Sequence, residues 1–218
     1  MKSAFPSTSK LLVAGLTLLS LAGCARKGEI DETGGITVVR SACPVAAIPA
    51  MTGDITLFNP ADSTDARALD VTASITNLRS TCSETANEFY SEATFDVEAR
   101  RADASAPRDV VLPYFSVVVR GGNAVIAKRV GEVHISFAAG QERAQVSAKA
   151  ASYVDRTAAT LPPEIDRKIH QKRKAGDADA ALDPMAEPEV RDAVQRSSFE
   201  LLVGFNLSQD QLRYNATR

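Results

Sequence analysis

Three cysteines are the residues of this 218-residue chain best suited to covalent chemistry. Cys24 ends an apolar run, whereas Cys43 and Cys82 each follow a stretch with the character of a β-strand. The chain has no C-x-x-C pair, and no histidine lies near Cys43 or Cys82 in the sequence. Because redox and metal sites commonly use those arrangements, the spacing favours covalent attachment or cross-linking.

The segment before Cys24 has the order of residues that is typical of an export signal. Lys2 and Lys10 lie in a polar stretch, residues 11–19 are mostly apolar, and small residues precede the cysteine. The apolar run is shorter than the roughly 20 residues that a membrane-spanning helix needs. We therefore expect residues 1–23 to be removed as a signal peptide and the mature chain to have no transmembrane helix.

The four residues Leu21-Ala22-Gly23-Cys24 resemble the lipobox of bacterial lipoproteins. The resemblance implies that Cys24 receives a diacylglyceryl group and that palmitate-type acyl chains anchor the protein to a membrane. Ala25 follows the cysteine, where an aspartate would imply retention in the inner membrane. The expected location is thus the periplasmic face of the outer membrane, with the inner membrane as the alternative. An ordinary secretory signal with an incidental cysteine is the competing interpretation.

Cys43 and Cys82 would remain as a pair in an oxidising compartment once Cys24 is acylated. We expect a disulfide between them, each cysteine lying just past the end of a strand. Closing the intervening loop would stabilise the fold by about 4 kcal/mol in the chain-entropy account.

Other residues offer weaker signals for chemistry. His134 alternates with apolar neighbours, which places it on the outer face of a sheet, and His170 lies in a basic helix without an evident catalytic partner. Asn59, Asp62 and Asp65 could offer oxygen ligands to Ca²⁺, but a polar loop is the favoured interpretation. Motifs of serine hydrolases, zinc proteases and phosphate-binding loops are missing from the sequence. We predict no catalytic residues, no metal site and no cofactor.

The densest positive stretch contains Lys168, Lys172, Arg173 and Lys174. It could contact an acidic partner or an anionic lipid surface. The alternative is that these bases complement the C-terminal end of a helix dipole, with Glu164 pairing with Lys168 one turn away.

Composition argues against some classes of function. Loss of Lys2 and Lys10 with the signal peptide would change the net charge from −2 to −4, which disfavours binding to nucleic acid. The chain has no tryptophan, four tyrosines and two histidines, so it is poor in the residues that build sugar-stacking clefts and acid–base centres.

The dominant pattern between residues 36 and 155 is an alternation of apolar and polar residues, as in Leu69-Asp70-Val71-Thr72-Ala73. Turn residues separate the alternating runs, and Gly121-Gly122-Asn123 predicts a tight hairpin. Gly131 interrupts a run and suggests a β-bulge. Seven or so antiparallel strands in such a length predict a mainly β fold, an antiparallel sandwich that resembles immunoglobulin or fibronectin type III modules.

The remaining segments are assigned around that sandwich. We expect a tether over residues 24–35, the sandwich over residues 36–155 and 197–207, and a helical insertion over residues 156–196. The insertion is predicted to hold a helix over Pro163–Lys174, whose stripe of Ile165 and Ile169 is too narrow for deep burial, and a second helix over Glu189–Arg196. Residues 208–218 would form a short C-terminal helix with Ser208 as its cap.

These observations lead to two hypotheses of different classes. The first is a non-catalytic, membrane-anchored envelope lipoprotein whose sandwich binds or scaffolds another envelope protein. The second is a hydrolase or ligand carrier that acts on a cell-envelope substrate. A flat apolar surface or an open strand edge would favour the first, and a deep polar cleft with converging carboxylates the second.

Overall fold

The computed structural model describes residues 40–171, 176–178 and 182–217. Its architecture is a β-sandwich with short helices, which confirms the predicted fold class. The strands are β1 (Val45–Ala47), β2 (Asp54–Phe58), β3 (Leu69–Glu84), β4 (Glu88–Arg101), β5 (Arg108–Arg120), β6 (Ala124–Phe137), β7 (Arg143–Asp155) and β8 (Phe199–Phe205). The helices are α1 (Arg156–Ala159), α2 (Pro163–His170), α3 (Pro188–Ser197) and α4 (Gln209–Thr217).

The strands form two sheets of four. The first sheet has the order β1-β8-β5-β6, and the second has the order β2-β3-β4-β7. All pairs are antiparallel except β1 with β8. The chain passes from β4 in the second sheet to β5 in the first, and β4 then pairs with β7 while β5 pairs with β8. This is the Greek-key pairing of sandwiches of the immunoglobulin type, here with β1 placed next to β8.

The core lies between the inner faces of the sheets. Because side chains alternate along a strand, one set of positions from each strand meets there. Phe95, Phe137 and Phe205 are the largest fully buried side chains. The hairpin predicted at Gly121 and Gly122 is present, and both glycines adopt positive φ angles that favour glycine.

Two local predictions about strands were wrong. β3 does not end near Leu78 but continues past an irregularity after Thr76, so Cys82 lies within the strand rather than beyond it. Gly131 is not a bulge. It is paired with Tyr114, and a Cβ atom at this position would lie 2.7 Å from the Tyr114 ring, so the glycine makes room for that ring.

Cys43 and Cys82 form a disulfide, as predicted. The bond joins the segment before β1, at one edge of the first sheet, to β3 in the second sheet. Arg40 ties the same segment to the helices, because its Nη2 atom donates to the carbonyl oxygens of Ala159 and Ser197 at 2.7 and 2.6 Å. The strand predicted over Ile36–Arg40 lies outside the described residues except for Arg40, which is not in a strand.

The helices between β7 and β8 form a small core of their own, which corrects the prediction for Pro163–Lys174. Ile165 and Ile169 are 3% and 0% exposed, because Leu161 and the α3 residues Val190 and Ala193 pack around them. A narrow apolar stripe suffices here because a second helix covers it. Within the described residues, α2 ends at His170.

The predicted C-terminal helix is also present. The Ser208 hydroxyl accepts from the Gln211 backbone N–H at 3.2 Å, the capping that the sequence indicated. In the described part of the chain, each helix is too short or too polar to cross a bilayer.

Candidate functional site

Several predicted site residues lie outside the described residues. These are the lipidation residue Cys24 and the cationic residues Lys172, Arg173 and Lys174. Lys168 is described, and its Nζ atom donates to the Glu187 carboxylate at 2.6 Å rather than to Glu164. This hydrogen bond raises the pKa of Lys168 above its ordinary value. One cation of the basic stretch is therefore paired within the helical insertion.

Two other candidate side chains, His134 and Asp65, occupy ordinary positions in the fold. His134 lies on the outer face of the first sheet with 71% of its side chain exposed, as predicted. Asp65 accepts from Arg67 and caps a short 3-10 turn, and the Arg67 hydrogen bond lowers the pKa of that carboxyl. Across the described residues, no three metal-binding side chains come together.

An open strand edge is the first surface suited to binding. β6 pairs with β5 and has no second neighbour among the described strands of its sheet. All seven residues of its first half, Ala124–Val130, are exposed. Val125, Ile126 and Val130 have 63%, 56% and 58% of their surface exposed, and they belong to the few large apolar residues left in solvent.

A register shift shapes this edge. Val119 and Val118 of β5 lie opposite Val125 and Ala127, so Ile126 is an extra residue on β6. Such a bulge increases the local twist of a strand. Lys128 and Arg129 add two positive charges, and the Ala124–Val130 stretch has no acidic residue.

The outer face of the first sheet places further apolar side chains beside the edge, although Val117 and Val119 of β5 are only 8% and 5% exposed. Leu112, Val118, Leu201 and Val203 point into the main core, so the alternate positions of β5 and β8 face outward. Register places Phe115 beside Val130 and Val119 beside Val125. We call this outward set the valine face; its members are Phe115, Val117, Val119, Val125, Val130 and Leu202.

On this side of the sandwich, β6 of the first sheet faces β7 of the second. A small cavity of about 100 Å³ lies there, lined in part by Ser116, Arg129, Ser152 and Tyr153. The hydroxyls of Ser152 and of its cross-strand partner Ser91 are buried without a partner in the described part of the chain. Buried hydroxyls without a partner cost free energy, so these two serines lower the stability of this part of the sandwich.

A groove beneath α4 is the second surface suited to binding. Its volume is about 1060 Å³, and it lies between α4, β2 and the loop that follows β2. The Asn215 amide fixes α4 on β2 by donating to the carbonyl oxygens of Met51 and Asp54, both at 2.8 Å. The rings of Phe58 and Tyr214 meet edge to face with their centroids 5.2 Å apart.

Charged groups in the groove are arranged in pairs. Arg108 donates to both carboxylate oxygens of Asp70, at 2.6 and 2.7 Å, and this contact raises the pKa of Arg108. Arg213 pairs with Asp210 on α4. Asp62 adds a further carboxylate from the loop.

One residue that lines this groove carries a buried hydroxyl. Thr56 is 3% exposed, and its Oγ1 atom has no partner in the described part of the chain. Since Ile55 points into the core, Thr56 faces the opposite side of β2, under α4. The groove therefore offers a polar atom that the protein leaves unpaired.

The sequence singled out two residues of this groove in other roles, Asp62 as a possible calcium ligand and Ser208 as a helix cap. Thr56, Arg108 and Tyr214 were missed, because they come from three distant parts of the chain and carry no common motif. Comparison of the chain with protein families, curated proteins and solved structures found no match.

Proposed function

We propose that this chain is a lipid-anchored protein of the bacterial envelope that binds another envelope protein through β6. The observation that carries the proposal is the exposed first half of β6, where three apolar side chains are more than half exposed on an edge that no other described strand pairs with. Exposed edges template pairing with another strand, and proteins usually cover or blunt them. A bound partner would cover this edge and the exposed rim of the valine face.

The chemistry of the edge favours an extended partner segment that carries apolar and acidic side chains. A strand added to β6 would gain backbone hydrogen bonds, while its side chains would contact Val125 and Val130. Lys128 and Arg129 would attract an acidic residue on that strand. A second copy of this chain fits less well, because its Ala124–Val130 stretch carries the same two positive charges and no acidic residue to complement them.

Cross-linking from the edge tests the proposed partner. The photo-reactive residue p-benzoyl-phenylalanine would replace Ile126 on β6 and, as a control, Gln145 on the exposed outer face of β7. We expect the Ile126 position to form a cross-link to a different protein in intact cells and the Gln145 position not to form that cross-link. Equal products from both positions, or only cross-links between copies of this chain, would contradict the proposal.

The lipid anchor rests on the resemblance of Leu21-Ala22-Gly23-Cys24 to a lipobox. We expect metabolic labelling with a palmitate analogue to label the wild type and the Cys43→Ala/Cys82→Ala variant, but not Cys24→Ser. Equal labelling of the wild type and Cys24→Ser would contradict the proposed lipid anchor at Cys24. With Ala25 after the cysteine, the labelled protein should fractionate with the outer membrane; recovery with the inner membrane would select the alternative location.

A ligand carrier is the second candidate function. The groove beneath α4 favours it, because a large concave site includes a residue whose buried hydroxyl has no partner among the described residues. The groove and β6 are distinct surfaces, so the two functions do not exclude each other.

A further inference from the structure

We infer that the groove beneath α4 is a binding site for an uncharged saccharide. This inference deepens the candidate function of ligand carrier and is independent of the partner proposed for β6. A volume of about 1060 Å³ accommodates several sugar rings, since sites for small ligands commonly measure about 300 to 1,000 Å³.

The charges of the groove favour a ligand without net charge. Each of its two guanidinium groups is already paired with a carboxylate, Arg108 with Asp70 and Arg213 with Asp210. A phosphate or carboxylate ligand would have to compete with these pairs. Asp62 supplies a single carboxylate in an exposed loop, which gives a cation little to bind.

The same pairs suit a ligand rich in hydroxyl groups. A sugar hydroxyl both donates and accepts hydrogen bonds, so neighbouring hydroxyls need a donor and an acceptor side by side. The Asp70–Arg108 pair offers both, because each group retains hydrogen-bonding positions beyond its two mutual bonds. The ion pair also holds the two groups in fixed positions, which lowers the cost of ordering them around a ligand.

Thr56 adds a deep polar contact. Its hydroxyl is buried at the groove and has no partner in the described part of the chain, an arrangement that costs free energy until a partner arrives. A ligand hydroxyl or acetamide would satisfy it once the Thr56 side chain turns toward the groove. The perpendicular rings of Phe58 and Tyr214 give the groove an apolar wall against which the C–H face of a sugar can pack. This wall requires no tryptophan, the residue whose absence argued against a stacking cleft.

A peptide strand is a weaker fit for this groove. To bind as an added strand, it would need the free backbone edge of β2. The Asn215 amide already occupies the carbonyl oxygen of Asp54 on that edge and holds α4 beside it. Hydrogen bonds from side chains, rather than from the β2 backbone, are what the groove offers.

Calorimetric titration of the full chain in an amine-oxide detergent, which carries no sugar headgroup, tests the inference. The probes are maltotetraose and chitotetraose, with an uncharged Gly/Ser peptide of similar mass as the competing ligand class. The informative variant is Thr56→Val, which keeps the shape of the side chain and removes the unpaired hydroxyl. The matched control is Thr72→Val, because Thr72 lies opposite Thr56 on β3 but does not line the groove.

We expect at least one saccharide to bind and Thr56→Val to weaken its binding about tenfold, with Thr72→Val equal to the wild type. Thermal unfolding should show Thr56→Val to be no less stable than the wild type, which separates loss of a ligand contact from loss of folding. Binding of neither saccharide would overturn the inference, as would binding that Thr56→Val leaves unchanged. Binding of the peptide alone would assign the groove to another ligand class and overturn it too.

Discussion

The two long sides of the sandwich differ in how their strand edges are treated. On one side, which we call the closed side, the edge strands β1 and β2 are joined to other parts of the fold by the Cys43–Cys82 disulfide, by α4 and by the Asn215 amide. On the other, the open side, the edge strands are β6 and β7, and the first half of β6 is exposed.

The difference indicates which strand edge of this fold could pair with a further strand. An unpaired edge presents backbone N–H and C=O groups that can template a further strand. The closed side uses such groups internally, as in the hydrogen bond from Phe205 N–H to the Thr52 carbonyl oxygen at 2.7 Å. The open side leaves them at the surface beside Val125 and Val130. We therefore expect changes on the closed side to alter stability and changes on the open side to alter association.

Removing the disulfide should have the largest effect. Replacing Cys43 and Cys82 by alanine frees a loop with a sequence separation of 39, and we expect a loss of about 4 kcal/mol in the free energy of unfolding. Urea unfolding of the wild type and the double variant measures this loss. Compared with the wild type, the double variant should show faster amide hydrogen exchange in β1 and β2 and an unchanged exchange rate in β5. A uniform rise over both sheets would show that the closed side does not depend on this bond in particular.

Loosening α4 should have an intermediate effect. Asn215→Ala removes the donor for the carbonyl oxygens of Met51 and Asp54, and losing both hydrogen bonds under the helix should cost about 2 kcal/mol. Asp210→Ala, on the exposed side of the same helix, should change stability by no more than about 0.5 kcal/mol. Chemical denaturation compares the two variants. If Asp210→Ala cost as much as Asn215→Ala, the helix would not be held mainly by the Asn215 contacts.

Acidification should produce the smallest effect, and it concerns the open side. Asp96 accepts from the Ser147 hydroxyl of β7 at 2.6 Å and from the Asn77 amide at 2.8 Å, and these hydrogen bonds lower the pKa of Asp96. A lowered pKa in the folded state adds stability above the unfolded value near 3.9, and that stability disappears as the pH falls through the folded pKa.

The urea midpoint of the wild type should therefore exceed that of Asp96→Asn at pH 6, and the two should converge toward pH 2. A difference that stays constant over this range would assign the effect to packing rather than to the carboxylate charge.

Much of the fold was predictable because local patterns report local physics. The alternation in Leu69-Asp70-Val71 predicted a strand with one buried face, and the two glycines at Gly121 and Gly122 predicted a hairpin. Packing within the helical insertion was less predictable. Burial of Ile165 and Ile169 depends on α3 folding back over them, and a two-residue stripe contains no information about that partner.

By itself, the sequence determined the sandwich class, the pairing of Cys43 with Cys82 and the C-terminal helix that begins after Ser208. The sandwich follows from a period and the helix from a capping residue, whereas the disulfide was predicted on the expectation that Cys24 is acylated. Tertiary structure alone decided which strands became edges, and it brought Thr56, Arg108 and Tyr214 to one groove. The physical reason is that alternation of apolar and polar residues fixes which face of a strand is buried. The neighbour of each strand and the position of each helix depend instead on packing between distant parts of the chain.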